Sequence, residues 1–200
     1  MSTAERVGTS EETSTRQRIL TAALAAFAER GVEATSLDSV AAEVGVRKQT
    51  LLYWFGSKEH LLFGVVDHAV EELGQVLRAA ALDAGPNLGE RIEVVVDATF
   101  RLGTLRPELL AVVREVTRLG PPASTHLARA AEPLVTTAVA ALATPLGPDR
   151  VREVLLAAGA QVVGFATEAQ VRADLGLPPD LAWLRSRRRT LLDSLHADLS

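Results

Sequence analysis

The sequence predicts an all-α fold, and three observations carry that prediction. Apolar residues recur at helical spacing along almost the whole chain. No stretch alternates apolar and polar residues with a strand's period of two for long. Glycine and proline cluster at intervals that suit breaks between helices, at Arg106-Pro107, Gly120-Pro121-Pro122, Pro145 to Pro148 and Gly176 to Pro179.

Taken in order, the Ser/Thr/Glu-rich residues 1–13 read as a flexible tail, after which Ser14 and Gln17 suit a capping box for the first helix. Ile19, Leu20, Ala23, Leu24 and Phe27 form that helix's apolar stripe, which ends near Gly31. A second, short helix follows Ser36, with Leu37, Val40, Ala41 and Val44 facing inward, and stops at Gly45. A third covers roughly 47–54. Ser57 is a suitable N-cap for a long fourth helix whose stripe runs Leu62, Val65, Val66, Ala69, Leu73, Val76 and Leu77. The segment DAGPN breaks it, and further helices are expected near 88–103, 107–119, 123–143, 149–173 and 179–198.

Composition bounds the function. The chain of 200 residues is 48% hydrophobic and 23% charged, so it can bury a core. It has no cysteine, which removes disulfides, thiolate metal sites and cysteine nucleophiles. The first residues lack the apolar stretch of a signal peptide, and the longest nearly apolar run, Leu155 to Ala166, is short of the roughly 20 residues of a membrane span. The reading is a soluble, cytoplasmic protein with no membrane partner. The four histidines lack metal-ligand spacing, and acids such as Asp97 have no partner of the type catalysis needs. No metal, cofactor or enzymatic activity is expected.

The second and third helices form a pair. Crossing helices want a small residue at the crossing and a residue tolerant of positive φ in the turn, and Ala41 and Gly45 supply these. At 100° per residue, the third helix turns Leu51 and Phe55 inward and Gln49, Leu52 and Tyr53 outward. Arg47, Lys48 and Thr50 occupy its first turn, where a helix lying in the major groove meets base edges. Cations can donate to guanine, glutamine can pair with adenine, and leucine can touch a thymine methyl. Thr50, Tyr53 and Lys58 are of the types that hold phosphates.

The segments TRQRILTAALAAFAERG, ATSLDSVAAEVGV and TLLYWFGSKEHLL, in this order within 15–62, resemble the N-terminal domain of tetracycline-repressor-type (TetR) transcriptional regulators. The resemblance implies an N-terminal three-helix helix-turn-helix domain over 14–57 and a C-terminal helical ligand-binding and dimerisation domain over 58–200. It implies a homodimer that binds a palindromic double-stranded DNA operator and leaves it when a small-molecule effector enters the C-terminal domain. By position, Lys48, Gln49 and Leu52 would contact bases, and Ser36, Thr50, Tyr53, Trp54 and Lys58 would hold the backbone. Two positions depart from the pattern: Arg47 replaces a capping serine or threonine, and Leu52 a frequent tyrosine. Charge departs as well. Residues 1–62 carry seven Lys/Arg against eight Asp/Glu, whereas 44–58 carry three cations and no acid, so the basic character is local.

The C-terminal half suggests how such a domain would be controlled. The helix near 149–173 is apolar on two sides, which requires burial on both. A subunit interface containing Ala160 and Val163 of this helix and Leu184, Leu191 and Leu195 of the last one would meet that requirement. A ligand pocket calls for an apolar lining with a few placed polar groups, and Phe100, Thr117, Gln161 and Phe165 are the candidates for a largely hydrophobic effector. The arginines at 185, 187, 188 and 189 read as a wet helix face or as partners for acids across a dimer.

Overall fold

A computed structural model describes residues 3–85, 87–142 and 145–199, with side chains described from Ser14 onward. Met1 and Ser2 of the expected tail, Pro86 of the DAGPN break and Ala143, the expected end of the seventh helix, lie outside the described residues. Among the described residues there are nine helices and no strand: α1 (Thr3–Arg30), α2 (Leu37–Val44), α3 (Lys48–Phe55), α4 (Lys58–Asp83), α5 (Leu88–Leu105), α6 (Pro107–Leu119), α7 (Ala123–Leu142), α8 (Pro148–Asp174) and α9 (Leu181–Leu199). The breaks fall at the glycine and proline clusters, because those residues cannot continue the hydrogen-bond ladder cheaply. At the N-terminus the backbone differs from expectation. It is helical from Thr3, so Ser14 and Gln17 lie inside α1 and cap nothing.

The chain divides into two compact units, one of residues 1–69 with 111–127 and the other of residues 70–110 with 128–200. The first unit is larger than the 14–57 expected from the sequence, for two physical reasons. Leu61, Leu62, Val65 and Val66 in the first half of α4 are buried, as are Val112 and Val116 of α6. In addition, the Glu115 carboxylate accepts a 2.8 Å hydrogen bond from the Val32 backbone N–H, which ties α6 to the corner between α1 and α2. Gly64 sits where a Cβ would come within 3.0 Å of the Phe55 ring and 3.2 Å of Leu20, so α4 approaches this closely only because the position has no side chain.

The core of the second unit is Ile92 and Val96 of α5, Val151 and Val154 of α8, and Leu191, Leu192, Leu195 and Leu199 of α9. This corrects the expected subunit interface. Leu191 and Leu195, 2% and 8% exposed, are buried in the chain's own core and have no surface left to offer a partner. By contrast Ala160 of α8 is exposed and Val163 half-buried. Helix α8, at 27 residues, is long and apolar enough to cross a membrane by length and composition, although the central apolar run is short. One side of it is core, and its other side exposes Leu156, Ala160, Gly164, Thr167 and Val171 at three- and four-residue spacing.

Candidate nucleic-acid interface and ligand cavity

In the first unit the local sequence builds a helix-turn-helix. Ser36 caps α2, accepting from the Ser39 N–H at 3.0 Å, while the Ser39 hydroxyl accepts from the Ser36 N–H at 3.2 Å. The Ser36 hydroxyl is exposed, and because the cap uses its oxygen as acceptor, its own O–H can still donate to a phosphate. Helix α2 ends at Gly45, whose φ of 75° is the left-handed value that a side chain would resist. The Arg18 guanidinium donates to the Val44 carbonyl at 2.6 Å, satisfying one of the acceptors that a helix end leaves open. Arg47 occupies the cap of α3 with no side-chain cap bond, as its chemistry requires.

The inner and outer faces of α3 separate as the spacing predicts. Leu51 and Phe55 are buried, which sets the rotation of the helix, and that rotation turns Arg47, Lys48, Gln49, Leu52 and Tyr53 to solvent. Tyr53 is 76% exposed and stands edge-on to the half-buried Trp54 at 5.3 Å between ring centroids. Thr50 is half-buried in the first turn. After Gly56, Ser57 caps α4 by accepting from the His60 N–H at 3.1 Å, which brings Lys58 back beside the pair. Lys58 Nζ donates to the Glu33 carbonyl at 3.1 Å.

One neighbour is not visible in the helical periodicity. Lys48 Nζ lies 2.7 Å from Asp38 Oδ2 of α2, so this cation carries a carboxylate partner in the free protein. Both groups are largely exposed, and pairs of that kind contribute only about 0–1 kcal/mol, so a duplex can compete for the lysine.

The corner formed by α6 is also charged. Glu115, besides holding the Val32 amide, bonds the Arg118 guanidinium at 2.8 Å, and Arg118 reaches Glu33 at 3.2 Å. The Arg118 hydrogen bond is the largest influence holding the Glu115 carboxyl below the usual carboxylate range; burial opposes it and the Val32 amide assists it. At the start of α7, His126 bonds Asp67 at 2.7 Å and stacks on Phe63 with centroids 4.4 Å apart.

The second unit holds a cavity of about 270 Å³. Phe100, Val162, Phe165, Ala166, Trp183 and Leu184 form much of its wall. Phe100 and Phe165, both singled out from the sequence, thus meet with centroids 6.2 Å apart. Thr117 and Gln161 do not join them. Thr117 is exposed on α6, its hydroxyl donating to the Val113 carbonyl one turn back, and Gln161 donates to the Ser194 hydroxyl of α9 at 3.1 Å. Leu184, expected at a subunit interface, is half-buried and lines the cavity. Trp183 escaped the sequence reading, although a lone aromatic on the last helix is a visible signal. Asp97 pairs with Arg188, and this hydrogen bond raises the guanidinium's pKa further above its ordinary value; Arg187 lies 3.7 Å from Glu168. Two members of the arginine cluster on α9, Arg187 and Arg188, thus meet acids within their own chain.

A buried anchor of two residues under an exposed helix face of cations, amide and tyrosine defines a helix-turn-helix protein. Residues 19–65 match the model of bacterial regulatory proteins, tetR family. Within those residues the chain is similar to the N-terminal DNA-binding domain of that family. It is 28% identical over 96 residues to the HTH-type transcriptional regulator BetI of Brucella anthropi, covering 48% of this chain and 49% of that protein. The BetI of Rhizobium meliloti is likewise 28% identical over 96 residues, with 48% and 47% covered. The chain thus spans about half the length of the curated relatives it matches. The fold resembles that of the fatty acid degradation regulator FadR from Bacillus halodurans, with a TM-score of 0.71 at 16% identity over 88% of this chain and 97% of that one. It also resembles a TetR transcriptional regulator from Legionella pneumophila, with a TM-score of 0.70 at 18% identity over 88% and 95% of the two chains. At these identities the likeness is one of fold.

Proposed function

We propose that this chain is a cytoplasmic, ligand-responsive regulator that binds a palindromic operator as a homodimer, most simply as a repressor, and is released by a small hydrophobic effector. The observation that carries the reading is the face of α3: Lys48, Gln49 and Leu52 exposed side by side over buried Leu51 and Phe55. Laid in a major groove, that face presents donors to guanine, an amide to adenine and an aliphatic surface to a thymine methyl. Arg47 adds a further donor at the first turn. Ser36, Thr50, Tyr53, Trp54 and Lys58 hold the flanking phosphates and fix the register.

The homodimer is supported by α8. The exposed strip of Leu156, Ala160, Gly164, Thr167 and Val171, bordered by Val163, is made of small and aliphatic residues that let a second helix approach closely. A second copy covers this strip more plausibly than lipid does. The first turns of α8 carry the Arg150–Glu153 and Arg152–Glu132 ion pairs, which hydrocarbon would penalise heavily. The effector enters the cavity of the second unit. Binding the operator-competent and released states unequally, it shifts the population between them. Selection of bound duplexes from a random library tests the DNA claim. An inverted repeat with half-sites about 34–36 Å apart, or a multiple, is expected; recovery of no enriched sequence removes the proposal.

A further inference from the structure

The cavity of the second unit has an unusual deficit for a ligand site: the donor protons of its polar side chains are already engaged. Among the residues that line it, the polar side chains are Thr99, Thr104 and Trp183. The Thr99 hydroxyl donates to the Val95 carbonyl at 2.8 Å and the Thr104 hydroxyl to the Phe100 carbonyl at 2.9 Å, each within its own helix. The Trp183 indole N–H donates to Glu168 at 2.8 Å. No charged side chain lines the cavity among the described residues. Two guanidinium groups rest against the rings of wall residues, Arg187 5.9 Å from the Phe165 centroid and Arg172 6.0 Å from that of Trp183.

We infer, resting on the reading of this cavity as the effector site, that its ligand is an uncharged apolar molecule recognised by shape and not by a hydrogen-bonded anchor. A carboxylate placed here would lose its water and find no free donor, and an ammonium would find only the lone pairs of two hydroxyls, which costs far more than an apolar contact returns. A cationic ligand is further disfavoured because arginines already stand over two of the three aromatic rings of the wall, Phe165 and Trp183. The size follows from the volume. A dry apolar cavity of about 150 Å³ takes benzene. In the same proportion 270 Å³ takes roughly eleven non-hydrogen atoms, a pair of fused rings or an aliphatic compound of that bulk. The competing possibility is an anion, since the Nε atoms of Arg172 and Arg187 are buried and make no hydrogen bond.

The test is calorimetric titration of the full chain with three probes of one shape: 2-naphthol, 2-naphthoate and 2-naphthylmethylammonium. The expected result is 2-naphthol binding at least about tenfold more tightly than either charged analogue, a difference of about 1.4 kcal/mol. Ala166→Leu, which fills the cavity, should abolish that binding, and Thr99→Val, which keeps the shape and removes the hydroxyl, should change it by less than about threefold. Naphthoate binding as tightly as naphthol would overturn the inference, as would a tenfold loss in Thr99→Val or no binding by any probe. Should Ala166→Leu fail to fold, the charge series and Thr99→Val decide the matter alone. Operator release, measured separately, keeps the two readings apart. Naphthol that binds without releasing DNA refutes the effector role and leaves the ligand class standing; naphthoate that binds and releases DNA refutes the ligand class alone.

Discussion

Glu115→Ala probes the joint that fastens residues 111–127 to the helix-turn-helix. In the wild type its carboxylate accepts from the Val32 N–H at 2.8 Å, and Val32 is only 8% exposed. Truncation leaves that amide without its acceptor in a place water barely reaches, a loss of about 1–3 kcal/mol. The ion pair with Arg118 adds little, because that guanidinium is at the surface and screened. For a chain of this length the loss corresponds to a Tm lower by about 2–12 °C. The dependence on pH has a definite sign. The folded protein holds the Glu115 carboxyl below its ordinary value, so its contribution is complete above the unfolded pKa of about 4.3 and disappears as pH falls through the folded value. Denaturant unfolding followed by circular dichroism at neutral pH and at about pH 3 is the assay. Glu115→Ala should be less stable at neutral pH, with a deficit that narrows in acid, and Glu115→Gln, which keeps an acceptor for Val32, should lose less. A variant as stable as wild type at neutral pH, or a deficit that widens in acid, would refute the reasoning.

Other consequences are open to simpler measurements. Asp38→Asn removes the partner of Lys48 and should tighten binding to unrelated duplexes by about threefold in fluorescence anisotropy, while stability changes by less than about 1 kcal/mol. Lys58→Ala should weaken binding to all sequences about equally and reduce the slope of affinity against salt by about one unit. Val163→Glu places a charge beside the exposed strip of α8 and should shift sedimentation of the chain from dimer to monomer without unfolding it.

The legible and illegible parts of this protein divide along a physical line. Helix-scale features could be read because they depend on residues close in sequence: the inward turn of Leu51 and Phe55, the left-handed turn at Gly45, the cap at Ser57 and the inability of Arg47 to cap. What failed depends on partners far away. Leu191 and Leu195 have the same apolar spacing whether they face their own core or another subunit, and only the packing of α5 and α8 decides. Gln161 could have faced a ligand until Ser194, 33 residues on, supplied its partner. Asp97 is answered by Arg188 across 91 residues. Nothing in the sequence of α6 announces that the Glu115 carboxylate will meet the amide of Val32, 83 residues away.

The central claim is that α3 reads bases through a particular side chain, and Gln49 tests it most directly. The measurement is the affinity of wild type and Gln49→Ala for the selected operator and for duplexes substituted one base pair at a time, all at one salt concentration. The account predicts that Gln49→Ala loses about 1–3 kcal/mol on the operator and becomes indifferent to one base pair in each half-site, with the other positions still discriminated. An equal loss on every duplex, or no loss at all, would contradict it.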